Sequence, residues 1–420
     1  MSEFSDKTVM VVGAGLFLPV ALRLSRDFGR TIWYSEYKSS FPNPDEKDIG
    51  SGYEQIERAE HLFDHVNEVD LFVFVDVGLG DLQEHLVSLG KRVWGSRKAD
   101  ELELYRPEFK ETMERLGMPV GEYKVVQGID DLREALKKHE DWFVKTSTVR
   151  GLTETFRSMK PELIDPKLTE LETHLAGRKK DMQFIIEKPL DADAEVGYDG
   201  PVIDGRFPNT AQWGYEIKGK SYLAKFDKYM YLPKPVRFIN EKLSPELEWY
   251  GYRGMFSTEI RVCKNIPYLI DPTCRCATPA GELQLELFKN YSEICFYGAE
   301  GDVVDPVPTA RYGAQLMLQS EFFQQNRLAV EIPENDRQWT KLYNSCFQDG
   351  IDYCIPLENH QREIGSVLGL GDTPEKAVKE CLKHCEWALE NTLIDGVNQW
   401  ALDDAIEAAK KGEKVGIKFW

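Results

Sequence analysis

No cysteine precedes Cys263, although eight are present in the 420 residues. There is no C-x-x-C pair anywhere, and Cys274 and Cys276 stand too close together to bridge easily. Reduced, partly buried thiols are expected. Cys381, His384 and Cys385 fall together in one amphipathic helical pattern, which favours packing over a zinc site. No apolar run approaches the roughly 18 residues needed to cross a bilayer. The opening MSEFSDKTVMVVG has neither a cationic leader nor a cleavable apolar core. These absences predict a cytoplasmic chain without a membrane partner. Positive charge is also in short supply: 52 Lys and Arg against 71 Asp and Glu leave a net charge of −19. Such a field repels a phosphate backbone and argues against strong general nucleic-acid binding. Local cations can still line a cleft, so anionic small molecules remain open. No internal repeat, low-complexity linker or polar tail is visible.

What is present fits two or three packed units. Apolar runs at 9–12, 31–35 and 70–78, then "KRVWGS", show little alternation and are separated by helical segments. That pattern predicts a parallel sheet covered on both faces. "FKETMERLGMPV" reads as an amphipathic helix stopped by Gly117 and Pro119. "DDLREALKKHEDWFVKT" reads as a helix and a strand ending at Lys145. The charged stretch 159–181 is expected to be helical, and 182–190 to be an apolar strand. Antiparallel patterns then run to Asp271, and 281–296 is expected to be helical. Near the end, Thr373 is placed as an N-cap with Pro374 at the first helical position. The boundaries expected are 1–105 for a doubly wound N-terminal domain, 106–320 for a central domain with halves at 106–185 and 186–320, and 321–420 for a small C-terminal domain.

Three groups of residues could carry chemistry. The first is "VVGAGLFLPVA". Gly13 and Gly15 match part of a dinucleotide fingerprint, but Leu18 stands where its third glycine belongs. Glu36 sits where a ribose ligand would. A structural or substrate-facing turn is the competing reading, and an NAD(P)-dependent dehydrogenase the weaker one. The second group is lysines: Lys110 in a helix, and Lys145 ending a strand beside a hydroxyl-rich loop. Either could reach a phosphate or lie along the surface. The third group is strand-end carboxylates: Glu187, Glu195, Glu259 and Asp271. "MFSTEIRV" puts Glu259 and Arg261 on one face, and a hairpin through "CKNI" sets Asp271 opposite Glu259. Two carboxylates meeting there need a cation between them. Locally, Mg²⁺ and salt bridges (Asp271 to Arg275, Glu259 to Arg261) are equally good answers.

The order of these pieces resembles the ATP-grasp superfamily. Within it the chain looks most like the phosphoribosylamine–glycine ligase family, over almost its whole length. "PEFKETMERLGMPV" is similar to that family's lysine helix. "FPNTAQWGY" resembles its "GPNTGGMGAY" loop. "IDPTCRCATPAGELQLEL" stands for "EFNARFGDPETQ", and "REIGSVLGLGDTPEKAVKECL" resembles the C-terminal segment that closes over the site. The resemblance implies an α/β ATP-grasp fold with a Rossmann-like N-terminal domain and a small α+β C-terminal domain. It also implies an ATP-dependent C–N ligase that forms an amide through an acyl phosphate, with glycine or another amino acid as acid and small molecules as its partners. A monomer or homodimer is expected.

By the same resemblance, Lys110 and Lys145 would contact ATP, Glu187 and the backbone from Lys188 to Leu190 would form the adenine hinge, and Glu195 would hold the ribose. Asp271, Glu259 and Thr273 would hold Mg²⁺, with Mn²⁺ as a substitute. Arg275 and Lys145 would act on the transferred phosphoryl group. Gly13, Gly15, Asn209, Thr210 and Arg275 would face the substrates; Lys225 and Lys228, placed near the cleft, would bind a substrate carboxylate or a phosphate, or simply face solvent.

Several departures mark a changed substrate side. Thr273 replaces the family's second metal-binding Asn. The 147–155 loop has lost most of its glycine, leaving Arg150 as a phosphate contact and the loop itself as a candidate lid. The N-terminal turn has become apolar, and Trp213 stands among what are usually small residues. The amine is therefore expected to differ from phosphoribosylamine, for example a nucleotide or modified base. A degenerate nucleotide-binding protein without turnover is the alternative.

Overall fold

The structure is a computed structural model and describes residues 2–35, 47–148, 155–357 and 361–420. Glu36, Arg150 and most of the 147–155 loop lie outside these residues.

The N-terminal sheet contains β1 (Thr8–Val12), β2 (Arg30–Tyr34), β3 (Glu57–Arg58), β4 (Leu71–Phe74) and β5 (Arg92–Trp94), in the order β3-β2-β1-β4-β5. Every pair is parallel. The all-apolar β4, LFVF, is buried at each position, because helices and loops cover both faces of the sheet. One face packs on helices Leu18–Leu24 and Tyr291–Glu300; the other carries a separate cluster around Phe72 and Leu86.

A second sheet is formed by β6 (Tyr123–Gln127), β7 (Phe143–Thr146), β8 (Thr155–Arg157) and β9 (Gln183–Glu187), in the order β6-β9-β7-β8. Helices Ile129–Leu136 and Pro161–Leu175 cover it. The charged stretch expected to be helical is so from 161 to 175, and the expected helix over 281–296 is two helices, Gly281–Leu287 and Tyr291–Glu300.

The largest sheet has eight strands. They are β10 (Ala194–Ile203), β11 (Thr210–Ile217), β12 (Ser221–Lys228), β13 (Arg253–Cys263), β14 (Ile266–Thr273), β15 (Tyr312–Gln319), β17 (Thr340–Leu342) and β20 (Glu363–Gly371), in the order β14-β13-β10-β11-β12-β15-β20-β17. The remaining strands, β16 (Leu328–Val330), β18 (Ser345–Gln348) and β19 (Ile351–Cys354), form a small sheet of their own. The expected boundary near 321 thus falls between β15 and β20, which are hydrogen-bonded neighbours. The C-terminal segment continues the central sheet. Its helix Pro374–His384 starts where Thr373 caps the Lys376 amide at 3.2 Å.

Two local devices set the site. Lys264 and Asn265 both have positive φ, 50° and 67°, the conformation of a two-residue hairpin turn that matches strand twist. This turn joins β13 to β14. Further along, the register shifts: Glu259 pairs with Asp271 but Ile260 pairs with Leu269, leaving Ile270 as a bulge. In a regular strand Leu269 and Asp271 would share a face. The bulge lets Leu269 enter the core beside Ile260 while Asp271 faces the same way as Glu259.

Candidate active site

A cavity of about 980 Å³ opens between the four-stranded and eight-stranded sheets. Lys110, Lys145, Glu187, Lys188, Leu190, Glu195, Glu259, Asp271, Thr273 and Arg275 all line it. Gly13, Gly15, Asn209, Thr210, Lys225 and Lys228 do not.

At its centre Lys145 Nζ donates to both carboxylate oxygens of Asp271 at 2.9 Å. It also reaches the carbonyl of the bulged Ile270 at 3.3 Å and pairs with Glu187 at 3.1 Å. Lys110 forms an ion pair with the other oxygen of Glu187. Arg106 comes within 3.5 Å of Asp271. Arg106 and Lys110 are four residues apart on helix Arg106–Arg115, so they share one face of it. Lys145, Lys110 and Arg106 are all at least nine-tenths buried.

Burial works against the charges of Lys145, Glu187 and Asp271, and their partners outweigh it. Lys145 is held above its ordinary value by Asp271 and Glu187, and so stays an ammonium. Lys145 and Lys110 bring Glu187 below the usual carboxylate range. Lys145 and Arg106 hold Asp271 well below it. Asp271 thus pairs with Lys145 and Arg106. Arg275 instead donates to Glu103 at 3.0 Å and lies 3.6 Å from Asp76. Glu103 also accepts from the Cys274 amide at 2.8 Å, which ties this arginine loop to the N-terminal half.

Further along the cavity, Arg261 pairs with Glu195 at 2.9 Å and lies 3.7 Å from Glu259, while Lys218 is 3.3 Å from Glu259. Burial and the charge of Glu259 push Glu195 up. Lys188 donates its amide to the Glu122 carbonyl at 3.0 Å, which occupies one of the expected hinge donors.

Four groups of expected substrate residues need correction. Gly15 is filled from the protein side: a Cβ there would lie 2.6 Å from Asn344 Oδ1 and 2.8 Å from Ile49. Gly13 is likewise closed off by Val75, and Leu18 is fully buried. These glycines allow close packing against Val75, Asn344 and Ile49. Asn209 and Thr210 bond Asp305 and the Pro306 carbonyl instead. Lys225 lies on the face of β12 opposite to Tyr222, over the Trp213 ring and 3.2 Å from Asp227. Lys228 ends β12 exposed. Trp213 is itself fully buried against Phe419, away from the cavity.

The reading of the sequence passed over Arg106, Glu103, Lys218, Asp199 and Glu216. For Arg106 the signal was available, as the i, i+4 partner of Lys110. For Asp199 and Glu216 it was not, since β10 and β11 are buried on both faces at most positions.

Among the described residues no group of three or more His, Cys, Asp or Glu side chains is arranged to hold a metal unaided. Cys381 and His384 bond the carbonyls of Val367 and Leu368. For Mg²⁺ the test is the donor set. Glu259 and Asp271 face each other in register, with Thr273 two residues on, and all offer oxygen. Two cationic side chains already converge on Asp271. The set fits a hard cation that takes its remaining oxygens from a bound phosphate.

Comparison with solved structures places this arrangement in a class: the chain has the ATP-grasp fold. It superposes on phosphoribosylamine–glycine ligase from Thermotoga maritima with a TM-score of 0.66 at 15% identity, covering 90% of this chain and 96% of that one. N5-carboxyaminoimidazole synthetase from Staphylococcus aureus, complexed with ADP, gives 0.62 at 14%, covering 90% and 97%. The biotin carboxylase domain of 2-oxoglutarate carboxylase from Hydrogenobacter thermophilus, a dimer complexed with MgADP, ADP and bicarbonate, gives 0.64 at 13%, covering 93% and 91%. No protein-family model and no curated protein sequence matches the chain. Among the described residues no helix is long and apolar enough to cross a membrane.

Proposed function

We propose that this chain is an ATP-dependent ligase that joins a carboxylate to an amine. The observation that carries the reading is the buried cluster of Lys145, Lys110 and Arg106 facing Asp271 and Glu259 across one large cavity. A triphosphate brings the negative charge that three desolvated cations call for. In this reading a substrate carboxylate attacks the γ-phosphoryl group, giving an acyl phosphate and ADP, and an amine then displaces phosphate.

The residues bind and orient. Lys145, Lys110 and Arg106 receive phosphate oxygens, Arg275 steadies the transferred group, Glu195 takes the ribose, and the segment from Glu187 to Leu190 borders the adenine. Arg150 belongs with the phosphate contacts by resemblance alone. Glu259, Asp271 and Thr273 would hold Mg²⁺, or Mn²⁺, which when bound neutralises phosphate charge. For Asp271 to take up this role, Lys145 must move from the carboxylate to the phosphate. Glycine or another amino acid is the proposed acid. The close packing at Gly13 and Gly15 supports an amine other than phosphoribosylamine.

The second reading, nucleotide binding without turnover, draws on Thr273 and on the hold of Lys145 on Asp271. ADP release from ATP and Mg²⁺, screened over amino acids and primary amines, separates the two. Turnover that needs both an acid and an amine, and is lost in Asp271→Ala, is expected. Stabilisation by ATP with no ADP released under any mixture would leave the second reading standing.

A further inference from the structure

The cavity also carries two carboxylates to which the nucleotide reading gives no role. Asp199 on β10 lines it and is 4% exposed. Its carboxylate accepts from the Ser257 hydroxyl on β13 and from the Tyr222 hydroxyl on β12. The Tyr222 ring can cross β11 to reach it because Gly214 lies between: a Cβ there would sit 2.8 Å from the ring. Gln212, fully buried beside them, has an Oε1 with no hydrogen-bond partner among the described residues and an Nε2 3.5 Å from the Tyr222 oxygen. Glu216, on the same face of β11, also lines the cavity. Among the described residues neither Asp199 nor Glu216 belongs to an ion pair, although Arg261, Lys218, Lys145 and Arg106 all pair with other carboxylates nearby.

A buried carboxylate, Asp199, and a partly buried one, Glu216, that are in no ion pair among the described residues are costly to keep. Burial pushes Asp199 to about 6, against the pull of the Ser257 and Tyr222 hydroxyls, and Glu216 to about 7, with Lys218 opposing. The arrangement is otherwise ordered: hydroxyl donors fix the Asp199 carboxylate, and a glycine makes room for one of them. What it lacks is a compact cation with several N–H donors, which is the description of a primary ammonium.

We infer that the Asp199–Glu216 face of the cavity is the seat of the amine substrate and that this substrate arrives as a primary ammonium. The inference rests on the ligase reading and names the chemistry of one of its substrates. Asp199 and Glu216 are positioning residues in this scheme.

The test uses the full chain and ethanolammonium as probe, with thermal stabilisation as readout. Ethylene glycol supplies the shape without charge, tetramethylammonium the charge without N–H donors, and Mg²⁺ alone a metal competitor for the carboxylates. AMP-PNP with Mg²⁺ reports the nucleotide end. Ethanolammonium is expected to stabilise the wild type, and its half-saturating concentration should rise about tenfold or more in Asp199→Asn and in Glu216→Gln. AMP-PNP stabilisation should be unchanged in both variants. Should Asp199→Asn fail to fold, Glu216→Gln, at a partly exposed position, decides alone. The inference is overturned if ethanolammonium does not stabilise the wild type, if the variants respond as the wild type does, or if tetramethylammonium, ethylene glycol or Mg²⁺ alone serves equally well at these two residues. Loss of AMP-PNP binding with ethanolammonium binding intact would instead overturn the ligase reading and keep the ammonium seat.

Discussion

Replacing Lys145 by Met removes a buried ammonium while keeping most of its volume. The cost follows from its two ion pairs, at 2.9 Å to Asp271 and 3.1 Å to Glu187. At an effective dielectric of about 20 these are worth about 6 and about 5 kcal/mol. Desolvating the ammonium takes back several kcal/mol. A third of the Asp271 side chain is open to the cavity, so solvent screens that pair. Arg106 and Lys110 also remain beside the two carboxylates. A net loss of about 2–4 kcal/mol is expected. Amide hydrogen exchange in β7 and β9 reads it locally, and about 2 kcal/mol there corresponds to exchange roughly thirtyfold faster. The double variant Lys145→Met/Asp271→Asn removes both partners of the closest pair. It should recover about 1–2 kcal/mol of the single variant's loss, yet bind no ATP. If Lys145→Met leaves exchange unchanged and the double variant shows no coupling, the ion cluster does not exist in solution, and its use as a triphosphate site falls with it.

Asp199→Asn should change the dependence of stability on pH. A carboxyl raised from 3.8 to about 6 by folding keeps its proton in the native state while the unfolded chain has released it. Its stabilising contribution is therefore full below about 3.8 and is lost as pH rises through 6. The shift amounts to about 3 kcal/mol. Asp199→Asn should accordingly be more stable than the wild type at pH 7.5, by up to that amount, with the gap closing towards pH 4 in urea unfolding followed across pH; a gap independent of pH would refute it. Gly15→Ala meets Asn344 and Ile49 at under 3 Å and should lower the unfolding free energy by about 1–3 kcal/mol in a urea titration. NAD(P)H should give no stabilisation of the wild type. Thr273→Asn should lower the Mg²⁺ concentration needed for ATP-dependent stabilisation several-fold, because an amide oxygen is a better ligand than a hydroxyl; no change in a Mg²⁺ titration would place Thr273 outside the metal shell.

Much of the fold could be read from the sequence because its signals are local. Apolar β1 and β4, the capped helix after Thr373 and the turn at Lys264 and Asn265 each declare themselves within a few residues. The site was legible where it used ends of strands and faces of helices, as with Lys145, Glu187 and Lys110. It was illegible where it depended on which face of a doubly covered sheet looks into the cavity. In β12 six of eight residues are buried, so alternation cannot tell Lys225 from Tyr222. Tertiary register decides, and it sends Lys225 to Trp213 and Tyr222 to Asp199. The bulge at Ile270 is a harder case. It reverses the facing of Asp271 relative to Leu269, and nothing in "PYLIDPTCR" announces it except a proline, which is tolerated there because β14 is an edge strand.

The charges left in the cavity carry an argument of their own. Three buried cations, Lys145, Lys110 and Arg106, stand around Asp271 and Glu187. Elsewhere along the cavity, among the described residues, Asp199 and Glu216 are in no ion pair. A protein selected for stability alone would cancel both groups internally or replace them with apolar side chains. Joining an acid to an amine with ATP asks for this polarity: an anion at one end, a cation at the other, and the reacting atoms between them. The free chain is then strained electrostatically at both ends. Binding either substrate alone relieves one end only, so the two should bind with positive coupling, each raising the affinity of the other through the cavity field. An AMP-PNP titration with and without ethanolammonium measures that coupling directly. Independence of the two would mean that the ends are screened from each other and that the cavity does not act as one site.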